Sequence, residues 1–401
     1  MFSFFKEMKP ERRSLLIACF YAYFCSGLVA LTQGSVMPDL KSAYGLTDTF
    51  SGILLSAHSI GNMAAGFLAG AAAVALGRKR SVVALSSLSF IGVALMALCG
   101  APAVLFFAFV LTGVGRGTIT NFNNGTVNAI TDGDPAALNL LHCTFSLGAI
   151  AAPMLFLAVR GLVSWRAALA VIVLFGAVSV GNLIRLKMED GVPRARQGGG
   201  SWDFSFMRAP AFVVLGLMML FYLCSEFAIN GWLVTYIQSK DSLLSALPGE
   251  GAVRAYSQSM ATLLWVVILV GRLFCAWLSQ RISARRLMLL CALGEGAAFA
   301  GMLFSNTIPA VTVCVALTGF CMAGIAPMIY ADAAVYTNRY PMATGTLLSF
   351  GSVGGIVMPA LVGGMAERFG FGGGMFAILA AICLLVICAA VNLALGSRND
   401  R

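Results

Sequence analysis

One arginine, Arg116, stands inside an apolar stretch, among the amides and hydroxyls of GVGRGTITNFNNGTVN at positions 113–128. At the centre of a membrane helix an arginine costs about 2.5 to 3.5 kcal/mol, so it normally faces the protein interior or a wet cavity and has a partner. Its guanidinium is a planar fork that matches a carboxylate, sulfonate or phosphate. Two roles therefore stay open: an anchor for an anionic ligand, or a permanent ion pair that holds parts of the protein together.

A second charge, Glu226, lies in the apolar stretch YLCSEFAINGWLVTYI at 222–237. A dry cavity favours the neutral form of a carboxyl group, whereas solvent or a nearby arginine favours the charged form. Glu226 could thus take up and release a proton as its surroundings change, or it could be a fixed acid that orients Asn230 and Trp232. Arg116 is its candidate partner. We predict that a bound anion competes with Glu226 for Arg116 and frees Glu226 to accept a proton.

Polar side chains recur at three- and four-residue spacing around both charges, which stacks them on one helix face. The predicted ligand-binding residues are Arg116, Thr120, Asn123, Asn124, Tyr222, Asn230, Gln33 and His142. His58 and His142 could also relay protons, although a single histidine on a helix face more often packs through hydrogen bonds.

Further charged residues suit gating or structural roles, namely Arg272, Glu295, Asp332, Arg78 and Arg80. Pairing between helices is expected for Arg272 and Glu295, and Asp332 is expected to be a solvated or gating acid near Arg339. The 11 cysteines and 2 histidines show no spacing typical of a metal site or a disulfide framework. Because no nucleophile stands in the company of a base, we predict neither an enzyme nor a metal or other cofactor.

The elements that must position these residues are membrane helices. Of 401 residues, 59% are hydrophobic and only 10% are charged, which is too apolar for an ordinary soluble domain. Runs of about 20 apolar residues can cross a bilayer, and twelve such spans can be assigned. They cover 13–37, 49–76, 81–99, 103–131, 138–160, 165–185, 209–238, 256–280, 286–305, 308–337, 342–365 and 373–396. Arg116 and Glu226 each lie roughly 20 Å of helix from either end of their spans, near the midplane.

The basic residues predict the orientation. With both termini in the cytoplasm, most of the 26 Lys and Arg residues fall in inside loops and tails, as the positive-inside rule requires. Topology thus explains the net charge of +10, and no nucleic-acid partner is expected. We predict an N-terminal six-helix bundle (1–186), a charged, glycine-rich cytoplasmic linker (187–208) and a C-terminal six-helix bundle (209–401).

The two predicted bundles repeat one another. YFCS at 23–26 recurs as YLCS at 222–225, and SLGAIAAP at 146–153 matches SVGGIVMP at 352–359. The offsets stay nearly constant while the order of the spans is kept. A parallel repeat of six spans, related by an axis along the membrane normal, follows from the even number of helices in each half.

On these residues the chain resembles the major facilitator superfamily, whose signature between the second and third spans survives in part as Gly66 and GRKR at 77–80, with Gly70 where an acid is expected. The resemblance implies twelve helices in two pseudo-symmetric halves around a central cavity. Within the superfamily, 222–237 and LHCTFSLGAIAAP at 141–153 resemble the fucose and glucose permease branch. The proton-coupling acids of that branch have no counterpart here.

The predicted function is a secondary transporter that moves a small polar, anionic organic solute across the inner membrane by proton-coupled alternating access. Its partners would be the solute, H⁺ and the lipid bilayer, and a monomer is expected. One alternative is a neutral sugar permease in which Arg116 and Glu226 form a structural pair. Another alternative is a drug exporter, although its cavity should be more apolar. The last is a non-transporting scaffold, which would leave the midplane charges unexplained.

Overall fold

The computed structural model describes residues 8–131, 135–186, 204–337 and 339–399, and these are almost entirely helical. The helices are α1 (Pro10–Tyr44), α2 (Asp48–Leu76), α3 (Arg78–Leu98), α4 (Pro102–Ile130), α5 (Pro135–Leu162), α6 (Trp165–Arg185), α7 (Pro210–Gln238), α8 (Asp241–Leu244), α9 (Glu250–Leu278), α10 (Ala284–Phe304), α11 (Ile308–Met322), α12 (Ile325–Asp332), α13 (Ala334–Thr337) and α14 (Pro341–Asn399). A short 3-10 turn, Ser205–Arg208, precedes α7. The predicted linker lies outside the described residues up to position 203.

The predicted membrane fold is confirmed. Among the described residues ten helical stretches are long and apolar enough to cross a membrane. One of them, Met342–Gly396, covers both the eleventh and twelfth predicted spans, and a kink at Gly370, whose φ of 74° is not helical, lies between the two spans. The tenth span is divided into α11 and α12. Together with α2, which is the second predicted span, these helices account for the twelve spans.

The helix ends follow from local sequence. Proline occupies the first turn of α1, α4 and α7, where its fixed φ suits the helix and its missing N–H is not needed. Gly45 ends α1 in the left-handed conformation, with φ 64°, which glycine adopts without a Cβ clash. Ser164 caps α6 by accepting from the backbone N–H of Ala167.

The described chain forms two compact units. The N-terminal unit holds positions 1–46 and 57–196, and the C-terminal unit holds 47–56 and 197–401. In the N-terminal unit α1 packs on α5 and α3 packs on α4 and α6. Its α2 and α4 approach so closely that a Cβ on Gly113 would collide with the backbone carbonyl of His58, and a Cβ on Gly61 with that of Val110. Small residues at such crossings let helix backbones touch.

The C-terminal unit is built on α7, which packs along α14 and also contacts α9. Trp232 of α7 is completely buried and donates from its indole N–H to the carbonyl of Pro359 at 3.1 Å. The first turns of α2 belong to this unit, since a Cβ on Gly52 would also meet the Pro359 carbonyl. The backbone N–H of Thr49 there donates to Glu367 Oε2 at 2.9 Å.

Candidate functional site

The α2–α4 crossing in the N-terminal unit places His58 beside Arg116. The glycine at 113 brings the backbone of α4 against the carbonyl of His58, and Arg116 follows one turn later on α4. Nη1 of Arg116 lies 3.4 Å from Nε2 of His58. His58 was only a secondary candidate from the sequence, and the structure makes it a direct neighbour of the arginine.

His58 links Arg116 to two further polar side chains. Its Nδ1 lies 2.6 Å from the Gln33 amide and 2.9 Å from the hydroxyl of Thr112, and the Gln33 amide is 3.1 Å from the same hydroxyl. Gln33, His58 and Thr112 are all buried. Three helices, α1, α2 and α4, therefore supply one hydrogen-bonded chain that ends at the guanidinium.

The protonation of this chain follows from the donors available. An arginine only donates, and so does the Nε2 atom of the Gln33 amide, so donors face the His58 ring at both Nε2 and Nδ1. A doubly protonated imidazole could accept from neither. The Thr112 hydroxyl, which donates to the Phe109 carbonyl at 2.7 Å, accepts from the Gln33 amide. In this arrangement the imidazole is neutral and Arg116 is the cation of the cluster.

Aromatic rings from α1 and α5 line the same region. The Arg116 guanidinium carbon lies 5.4 Å from the centroid of the Phe145 ring, within the range of a cation–π contact. Tyr23 packs against Phe145 with ring centroids 5.5 Å apart and edge-on against His142 at 5.4 Å. Arg116 thus contacts a buried imidazole and an aromatic face, and its guanidinium can offer a planar pair of donors to an anion.

The predicted polar face of α4 is only partly brought to this cluster. Asn123 is fully buried, and its amide donates to the backbone carbonyl of Cys19 in α1 at 3.1 Å. The Asn124 amide donates to the carbonyl of Thr120 at 2.9 Å. The two asparagines therefore donate to backbone carbonyls of α1 and α4. Gln33, also a predicted ligand-binding residue, contacts His58 directly.

The second predicted group lies in the C-terminal unit on α7. Tyr222 is buried and lies one turn before Glu226 on α7. Asn230 accepts at its Oδ1 from the indole N–H of Trp265 at 3.0 Å. The full burial of Trp232 and its bond to Pro359 show that this tryptophan packs in the interior.

The predicted gating residues have specific partners. Arg78 donates to the Thr126 hydroxyl at 3.0 Å and covers the Phe122 ring at 5.3 Å, whereas Arg80 is exposed.

Asp332 corrects one expectation, because it does not pair with Arg339. It forms a salt bridge with Arg285 at 3.0 Å and accepts from the Asn392 amide at 2.8 Å. Arg339 lies over the Tyr340 ring instead.

Arg272 and Glu295 were expected to pair between helices, and within the described part of the chain they form no salt bridge with each other. Oε1 of Glu295 lies 2.9 Å from the Ser225 hydroxyl oxygen of α7. The Nε of Arg272 and the second carboxyl oxygen of Glu295 are buried without a hydrogen-bond partner among the described residues.

Three residues of these clusters were not predicted from the sequence, namely Thr112, Phe145 and Ser225. Each is an ordinary small polar or aromatic residue in an apolar span, so its type gives no signal of a site. Only Gly113, next to Thr112, hinted at a close contact there.

Comparison with known proteins agrees with this architecture. The sequence matches the Major Facilitator Superfamily profile over residues 19–249 and 251–399. A membrane protein of Rhizobium meliloti, MosC, is 25% identical over 386 residues, which cover 95% of this chain and 91% of that protein.

Solved structures share the fold at low sequence identity. The nucleoside transporter NupG, as its D323A mutant, aligns with a TM-score of 0.77 at 15% identity and covers 96% of this chain and 99% of that one. An inward-facing, occupied bacterial homologue of the human lysosomal transporter Spinster aligns at 0.73 with 16% identity and 97% of both chains. A D-xylose-proton symporter aligns at 0.69 with 13% identity, over 94% of this chain and 96% of that one. With its helical fold and with a family profile matched along nearly its whole length, the chain belongs to the major facilitator superfamily.

Proposed function

We propose that the protein is a secondary active transporter that moves a small polar, anionic organic solute across the inner membrane by proton-coupled alternating access. It works as a monomer with both termini in the cytoplasm, an orientation supported by the basic residues of the predicted inside loops. The observation that carries the proposal is the position of Arg116, a guanidinium in an apolar helix that contacts the imidazole of the buried His58 and the Phe145 ring.

Arg116 is the anchor for the solute in this proposal. A carboxylate or phosphate would receive two parallel hydrogen bonds from the guanidinium, and low local polarity would strengthen the attraction. The chain from His58 to Gln33 and Thr112 holds the imidazole in place. Binding therefore requires little reorganisation of the arginine's surroundings, which lowers the cost of ordering the site.

Glu226 is the proton-coupling residue in this proposal. The buried Tyr222 lies one turn earlier on the same helix. A tyrosine hydroxyl can donate to a carboxylate and can accept from a carboxylic acid, so it supports both protonation states. Competition between the solute and Glu226 for Arg116 would link solute binding to proton uptake.

A neutral sugar permease is the second candidate. It is favoured by the aromatic pair Tyr23 and Phe145 and by the Gln33 amide, which joins the same cluster through His58, because rings and amides also bind sugar faces and hydroxyls. In that case Arg116 and Glu226 form a structural pair.

A ligand screen distinguishes these two functions. Thermal unfolding of the purified protein is measured with sugars, sugar acids and simple carboxylates, for the wild type, Arg116→Ala and Arg116→Lys. Anions should raise the melting temperature of the wild type, fail to do so for Arg116→Ala, and act weakly on Arg116→Lys, because lysine lacks the planar fork. Arg166→Ala is the control, since Arg166 stacks on Trp165 at the start of α6. Equal stabilisation of the wild type and Arg116→Ala by neutral sugars would refute the anion assignment.

The coupling role is tested with Glu226→Gln in proteoliposomes. Uphill accumulation driven by a pH gradient should be lost, while exchange of solute across the membrane should continue, because exchange needs no net proton movement. Glu250→Gln, which changes an exposed acid in the first turn of α9, should keep both activities. Undiminished pH-driven accumulation by Glu226→Gln would remove Glu226 from the mechanism.

A further inference from the structure

Glu295 is a completely buried acid in the middle of α10. Its side chain has no exposed surface, and at 1.5 Å per residue it lies roughly 14 to 17 Å from either end of the helix. An isolated carboxylate in such a place would lose its hydration without compensation, which costs far more than burying a neutral acid. The state of this group is therefore decided by what surrounds it.

Few hydrogen-bond donors are placed to stabilise a negative charge on Glu295. One oxygen, Oε1, lies 2.9 Å from the Ser225 hydroxyl. The other, Oε2, is buried and has no hydrogen-bond partner among the described residues. A carboxylate normally needs several donors or a cation when it is buried, and here one shared hydroxyl is available.

The helices packed around α10 present thiols, a phenol and a second acid to this region. From α7 come Tyr222 and Glu226, and the charge of Glu226 acts on Glu295. From α9 come Cys275, whose sulfur lies 3.9 Å from that of Cys291 on α10, and Arg272, which acts on Tyr222. Glu226 opposes ionisation of Glu295, since two neighbouring carboxylates repel each other.

The remaining neighbouring helices supply no compensating charge among the described residues. From α11 the thiol of Cys321 packs against Gly294. Asp332 of α12 is occupied by Arg285. The α14 contact beside Glu295 is apolar, where Ile382 faces Gly296.

The hydroxyl of Ser225 decides which group donates. Its oxygen lies 2.9 Å from the backbone carbonyl of Tyr222 and 2.9 Å from Glu295 Oε1, and a hydroxyl has a single hydrogen. If that hydrogen goes to the carbonyl, Glu295 must be the donor to the serine oxygen. With a protonated acid, Glu295 donates to the Ser225 oxygen and the Ser225 hydroxyl donates to the Tyr222 carbonyl. Each hydrogen is then used in one hydrogen bond.

We infer that Glu295 is a proton-binding site whose carboxyl group carries its proton at neutral pH and donates it to Ser225 Oγ. The site is separate from Arg116 and does not depend on which solute is transported. Ser225, its hydrogen-bond partner, lies next to Glu226 on α7.

Infrared difference spectroscopy tests the site on the intact protein. The wild type at neutral pH should show the C=O stretch of a protonated carboxyl group, and this band should be lost in Glu295→Gln. Ser225→Ala should shift the band to higher frequency and should not abolish it, because the acid loses only its acceptor. Glu226→Gln and Glu367→Gln are the controls and should retain the band. A neutral-pH band that survives in Glu295→Gln, or its absence from the wild type, would overturn the assignment.

Chemical labelling gives a second measurement that needs no variant. A hydrophobic carbodiimide adds a protonated carboxylic acid across its C=N bond: the acid oxygen bonds to carbon and the proton moves to nitrogen. Migration of the acyl group to nitrogen then leaves a stable N-acylurea, with no leaving group. Mass spectrometry of the wild type in lipid should find this adduct on Glu295 at neutral pH and a strong decrease in alkaline buffer. Labelling of Glu226 without Glu295 at neutral pH would contradict the inference.

Discussion

The close crossing of α2 and α4 makes Gly113→Ala a sharp test of how the Arg116 cluster is positioned. A Cβ at 113 would lie 2.7 Å from the backbone N of Asn62 and closer still to the His58 carbonyl, whereas ordinary contacts begin at 3.4 Å. The two helices must therefore separate by at least about 0.7 Å, since both obstacles are backbone atoms. Starting from 3.4 Å, the contact between Arg116 and His58 would then exceed about 4 Å and cease to be a hydrogen bond.

Gly125→Ala is the matched control on the same helix. A Cβ on Gly125 would have nothing within 4 Å, so the substitution adds helix propensity of about 1 kcal/mol without a clash. Because Gly113→Ala gains the same propensity, the difference between the variants isolates the overpacking, for which about 1 to 3 kcal/mol is expected.

Thermal unfolding in one detergent measures that difference. Gly113→Ala should melt below the wild type and Gly125→Ala at or above it. The anion-dependent rise in melting temperature proposed above should weaken only in Gly113→Ala, since a displacement of this size disrupts a preorganised site. Equal melting temperatures for the two variants would show that the crossing yields freely and that the glycine does not position His58.

Two further contacts give independent predictions. Asp39→Asn should lower the free energy of unfolding by about 1.5 to 3 kcal/mol, because Asp39 accepts two hydrogen bonds from Arg160 of α5, at 2.7 and 2.9 Å. A double-mutant cycle with Arg160→Gln measures the coupling energy of this pair. Strictly additive losses of stability in the double mutant would contradict the prediction. Hydrogen bonds from Thr49 hold the pKa of Glu367, in the turn before Gly370, below its ordinary value of 4.5. The stabilisation is therefore present above that ordinary value and is lost as the pH falls through the lower folded-state pKa. Melting curves in acid should show a smaller decrease for Glu367→Gln than for the wild type, and an unchanged acid dependence would exclude this contact.

The sequence predicted the helices far better than the contacts between them. Twelve spans and their order follow from apolar length, and this was sufficient for α1 to α7, α9 and α10. The predicted boundary between the last two spans, 366–372, contains Gly370, where the backbone of α14 leaves the helical conformation. The break between α11 and α12 was missed, since hydropathy does not report backbone hydrogen bonding.

Partner choice at the site was harder to predict for a physical reason. Spacing along α4 shows that Arg116, Thr120 and Asn123 share roughly one side of the helix. Which of them reaches a cluster depends on the rotation of α4 against α1 and α2, and small differences in that rotation direct Asn123 to the Cys19 carbonyl. Asp332 was expected to be a solvated or gating acid near Arg339, and its salt-bridge partner, Arg285 of α10, could not be chosen without the rotation of that helix.

Packing and chemistry are linked most closely at one turn of α4. Thr112, whose hydroxyl lies 2.9 Å from Nδ1 of the buried imidazole, precedes Gly113, which lets α2 approach. Arg116 follows one turn later. A larger residue at 113 would separate His58 from both Thr112 and Arg116, so the glycine is required by the polar network as well as by the helix crossing. This explains why the run of glycines around Arg116 belongs to the site although it binds nothing itself: close backbone contact is what allows an imidazole from one helix to neighbour a guanidinium from another inside an apolar bundle.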